Sequence, residues 1–82
     1  MNQKTFWKEI YPLSEDSKAF TMYLSFTDKK NIPVKLLKLL YGYGIDTMIA
    51  TGNTTVFFGT VTETDVDYVV KQIKELGYVE IS

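Results

Sequence analysis

The residues best suited to chemistry are three carboxylates near one another, Glu63, Asp65 and Asp67, a grouping that could attract a hard divalent cation. Their spacing lacks the central glycine and distal glutamate of a calcium loop. They stand instead at the start of a helical stretch, where acidic side chains complement the positive end of the helix dipole. Gly42-Tyr43-Gly44 has the look of a phosphate-loop fragment. It follows a helical stretch and precedes an extended one, the reverse of the strand-to-helix context that makes an anion site, so it reads as a helix stop. Glu9, Glu15, Asp16 and Asp28 form no acid-base arrangement.

What is missing narrows the chemistry further. The chain has no histidine and no cysteine, which removes the commonest general base, thiolate nucleophiles, zinc-thiolate sites and disulfides. All nine basic residues are lysines, so no guanidinium fork is present to grip carboxylates, phosphates or guanine edges. The expectation is a non-enzymatic protein with no metal and no cofactor. A lysine-for-arginine composition rich in threonine, tyrosine and isoleucine fits an AT-rich bacterial or phage genome.

With 82 residues, 45% hydrophobic and 23% charged, the chain suits one globular core and not two. No apolar run reaches the ~20 residues of a membrane span, and the first residues lack a signal-peptide core. These features predict a single domain, residues 1–82, with a cytoplasmic address and no membrane partner.

The elements that must position any site follow from periodicity. Phe20, Met22, Leu24 and Phe26 alternate with Thr21, Tyr23 and Ser25, a strand with one buried face. Asn31 and Pro33 suggest the cap and first turn of a helix over 32–41, whose Leu36, Leu37, Leu39 and Leu40 make a wide apolar surface. Two β-rich runs, 45–51 and 54–61, flank Gly52-Asn53, a strong hairpin signal. Val66, Val69, Val70, Ile73 and Leu76 then form a single helical stripe between a threonine cap, Thr62 or Thr64, and Gly77. A last strand at 78–81 puts Tyr78 and Glu80 on one face and Val79 and Ile81 on the other.

The order from Ala19 onward resembles the ferredoxin-like βαββαβ fold. That resemblance implies an α+β two-layer sandwich: a four-stranded antiparallel sheet of order 4-1-3-2, two helices on one face and the other face open. On this reading residues 19–82 are the core and 1–18 an N-terminal apolar extension. Phe6 and Ile10, and Trp7 and Tyr11, are each four residues apart, so a helical turn would gather them into a sticky surface.

The open face is the candidate site. Tyr23 and Tyr78 are expected to point outward. The register of the third strand allows Phe57 or Phe58 outside, and the preferred one exposes Phe57. With the extension, the candidate partner-binding residues are Phe6, Trp7, Tyr11, Tyr23, Phe57 and Tyr78. The partner expected is another protein or a second copy of the chain, as for a regulatory module or an inhibitor carried by a phage or mobile element.

Met22-Tyr23-Leu24-Ser25-Phe26 is similar to the shorter signature of RNA-recognition-motif domains, with Tyr23 at the stacking position. The resemblance implies single-stranded nucleic-acid binding as the alternative. Thr55-Val56-Phe57-Phe58-Gly59 departs from that family's longer signature, since it has no basic residue and offers one outward ring. A sheet face without lysine disfavours a nucleic-acid partner, because phosphate neutralisation dominates such affinity. Other ferredoxin-like families fit less well: the first loop, Asp28-Lys29-Lys30-Asn31, has neither the paired cysteines of metal-trafficking domains nor the glycine of amino-acid sensors.

Overall fold

A computed structural model describes residues 4–27 and 32–81 of the chain. Seven elements follow one another: β1 (Thr5–Pro12), β2 (Ala19–Phe26), α1 (Val34–Gly42), β3 (Thr47–Thr51), β4 (Thr54–Thr62), α2 (Glu63–Glu75) and β5 (Val79–Glu80). The five strands form one mixed sheet of order β3-β4-β2-β1-β5. This overturns the expected four-stranded antiparallel sheet of order 4-1-3-2. The segment expected to be an apolar extension is a full strand, β1, wedged between β2 and β5. It pairs antiparallel with β2 from Phe6↔Phe26 to Pro12↔Phe20 and parallel with β5 at Thr5↔Val79.

Register assigns every strand residue to a face, because partners across a ladder point the same way. Phe6, Lys8, Ile10 and Pro12 share a side with Phe26, Leu24, Met22 and Phe20 on β2, and these in turn with Thr55, Phe57, Gly59 and Val61 on β4. Both helices pack on this inner side. Leu36 and Leu40 of α1 and Val66, Val69, Val70 and Ile73 of α2 join Phe6, Met22, Leu24, Phe26, Phe57 and Tyr78 in one buried cluster. Phe26 is its hub, with Phe6 stacked at 5.9 Å and the rings of Tyr78 and Phe57 meeting it edge-on at 5.3 and 5.8 Å. Full burial of each such ring contributes roughly 1.5–3 kcal/mol, which explains why an apolar N-terminal segment is drawn into the sheet.

Local chemistry sets the element ends. The Thr62 hydroxyl accepts from the Asp65 backbone N–H at 3.4 Å and caps α2, with Glu63 and Asp65 in the first turn. Pro33 sits at the N-cap of α1 with extended backbone rather than in its first turn, and no side chain among the described residues caps that helix. The expected cap Asn31 and the rest of its loop lie outside the described residues. Thr51 pairs with Thr54, so Gly52 and Asn53 are the two central residues of a tight hairpin; Gly52 takes the positive φ, +51°, that the turn requires.

Candidate functional site

The sheet's second face has no helix over it among the described residues. It is built in rows that cross the strands. Trp7, Ser25, Val56 and Ile49 form one row; Glu9, Tyr23, Phe58 and Thr47 form the next; Tyr11, Thr21 and Thr60 form a third. Val79 extends the face onto β5. Small Ser25, between Trp7 and Val56, is buried despite lying on the open side.

Aromatic rings run in unbroken contact over three strands. Tyr23 stacks on Phe58 with centroids 5.2 Å apart and 29° between planes, and Tyr11 meets Tyr23 edge-on at 5.8 Å and 80°. Offset and edge-to-face pairs of this kind are favourable beyond the area they bury. Even so, Tyr11 stays 51% exposed, and Ile49 half exposed, on the same face. An open recess beside the rings is lined by Glu9, Tyr11, Thr21 and Tyr23.

Electrostatically the face is nearly bare. Among its described strand residues Glu9 is the one formal charge, and the Tyr11 hydroxyl donates to Glu9 Oε2 at 2.8 Å. That hydrogen bond, and next the carboxylate's negative charge, raise the Tyr11 phenol above its ordinary value. Two lysines are engaged on the other side of the sheet. Lys8 points to the inner side, where its Nζ donates to Glu80 Oε2 at 2.6 Å, and Lys74 on α2 reaches the other Glu80 oxygen at 3.2 Å. The Lys8 hydrogen bond holds the Glu80 carboxyl below its usual range, against some opposition from burial. No group of three or more acidic, histidine or cysteine side chains is placed to hold a metal ion among the described residues. No helix among them is long and apolar enough to cross a membrane.

The six residues singled out in the sequence divide evenly. Trp7, Tyr11 and Tyr23 share the outer face. Phe6, Phe57 and Tyr78 are buried instead, all three gathered around Phe26. The expected outward register of Phe57 is reversed, because Phe57 pairs with Leu24 on the helix side and leaves Phe58 outside against Tyr23. The last strand is also inverted relative to expectation. Tyr78 is buried and Glu80 turns to the inner-side lysines, while Val79 shares the outer side with Thr5. The face therefore takes Phe58, the second of the two registers allowed for that strand, and gains Val56, Ile49 and Val79, which the sequence reading left out. One signal could have found Phe58: Val61 abuts the helix and must face inward, and counting back in twos from it places Gly59 and Phe57 inside.

No protein-family model matches the chain, and neither a curated protein nor a solved structure matches it.

Proposed function

We propose that the protein is a non-enzymatic interaction module of regulatory type, whose working surface is the open sheet face and whose partner is another protein. The observation that carries this reading is the row of rings Tyr11, Tyr23 and Phe58, flanked by Trp7, Val56 and Ile49, on a face with a single charge. Tyrosine and tryptophan are the residues that anchor protein interfaces, and a contiguous exposed patch of them is costly to leave in water. The same lack of cations counts against single-stranded nucleic acid, even though the rings could stack on bases.

The test compares the natural chain with W7S/Y11S as baits in the native host, with K71S on the helix side as a control. A protein captured by the natural chain and by K71S, but lost with W7S/Y11S, supports the reading. Capture that W7S/Y11S leaves intact overturns it. Titration with labelled single-stranded RNA and DNA covers the alternative: micromolar binding with a steep salt slope, lost in Tyr23→Ala, would replace a protein partner with a nucleic acid.

A further inference from the structure

The two edges of the sheet are treated differently by the sequence. At one edge β5 is only two residues long, and Glu80 there is bridged to Lys8 and Lys74. Short length and charge are the usual devices that stop an edge from recruiting another strand. At the other edge β3, Thr-Met-Ile-Ala-Thr, has neither device. All five residues are exposed, none is charged, none is proline, and three are β-branched. Such a strand turns alternate N–H and C=O groups away from its neighbour, ready to be paired.

We infer that β3 is a dimerisation edge that pairs antiparallel with β3 of a second copy across a two-fold axis at Ile49. Symmetry fixes the partners in that register. Ile49 faces Ile49 of the other copy, Met48 faces Ala50, Thr47 faces Thr51, and Asp46 falls opposite Gly52 instead of opposite its own copy. Each meeting is of a favourable kind: β-branched against β-branched, threonine against threonine, large against small, with no like charges opposed. The strand is its own complement, which is the property an isologous contact demands.

Pairing would join two five-stranded sheets into one of about ten strands, the upper range for an open twisted sheet. Ile49, Val56, Phe58 and Tyr23 of each copy would then lie on one continuous outer face. Five paired residues bury little area for a stable interface, so association is expected to depend on concentration. The inference goes beyond the face reading, since it concerns backbone groups at the edge, and the two fail separately.

Sedimentation equilibrium of the full chain over a wide concentration range tests it. The mass is expected to rise from 9.4 kDa toward twice that value. T47K/T51K, which sets like charges opposite each other across the axis, is expected to remain monomeric, as is I49K. T47K/T51E, which sets opposite charges there, is expected to restore the dimer, and W7S/Y11S to leave it unchanged. Circular dichroism of each variant establishes that the fold is kept, as exposure of these positions leads one to expect. A monomer at every concentration overturns the inference, as do a dimer that survives T47K/T51K and I49K and a T47K/T51E variant that stays monomeric. A dimer lost with W7S/Y11S also overturns it, by showing that copies meet through the face.

Discussion

Gly59 of β4 and Gly44 of the loop after α1 meet backbone to backbone: a Cβ on Gly59 would run into the Gly44 carbonyl oxygen and lie 2.7 Å from the Ile45 Cα. The strand has no side chain on the inner side at this point because the loop passes directly over it. Gly44 supports the passage with a φ of +82°. Gly59→Ala is therefore expected to cost about 3 kcal/mol or more, at the upper end of overpacking effects, because main chain and not a flexible side chain must yield. Urea unfolding measures it, and a loss under about 1 kcal/mol would mean that loop and strand are not in contact.

The register of β4 makes neighbouring phenylalanines unequal. Phe57 is fully buried and packs edge-on against Phe26, whereas Phe58 is half-buried on the outer face. Phe57→Ala should destabilise by about 3–5 kcal/mol, and Phe58→Ala by less than about half of that. Equal losses in denaturant unfolding would contradict the assigned faces.

Acid should weaken the fold partly through Glu80. Its carboxyl is held low chiefly by the Lys8 hydrogen bond, so the stability it contributes is present above the unfolded carboxylate value, near 4.5, and is lost as pH falls through the lower folded value. Because Lys74 is half exposed and solvent screens that arm, the contribution at neutral pH is about 0.5–1 kcal/mol. Glu80→Gln should remove that amount at pH 7 and flatten the decline in unfolding midpoint below about pH 4.5. A variant with the natural chain's full acid slope would show that the ion pairs do not form.

On the open face, the Tyr11 phenol should ionise above ordinary tyrosine, since its proton is shared with the Glu9 carboxylate. Glu9→Gln should bring it back toward the ordinary value. Absorbance titration of the natural chain against that variant and Tyr11→Phe isolates the ring concerned, and no difference between the two curves would rule out the hydrogen bond.

Where the sequence was readable, one periodicity was clean. On β2, Met22, Leu24 and Phe26 are wholly buried, and the α2 stripe of Val66, Val69, Val70 and Ile73 lies in the core. β1 was opaque because a spacing of four is ambiguous: Phe6 and Ile10 share a face in a helix and equally in a strand. Lys8 on the inner side, kept there by Glu80, further spoils the apolar alternation that would have marked a strand. β4 misled for a related reason, since its inner face reads Thr55, Phe57, Gly59, Val61 while Val56 and Phe58 lie outside. The buried threonine and the glycine beneath the loop take the places that large apolar residues fill in a simple alternating strand. Without β1 in the sheet, neither the strand order nor the inward turn of Tyr78 could follow.

Inserting the first strand between the second and the last has a kinetic cost. Thr5 and Val79 are ladder partners far apart in the chain, so the sheet is finished only after β5 is available. Contacts of such long sequence separation slow folding, and during synthesis the flank of β1 at Thr5 and Phe6 stays uncovered until β5 has been made. In the finished fold β1 is therefore gripped unevenly: its Thr5–Phe6 end lies between two strands, while its Pro12 end is held by β2 alone.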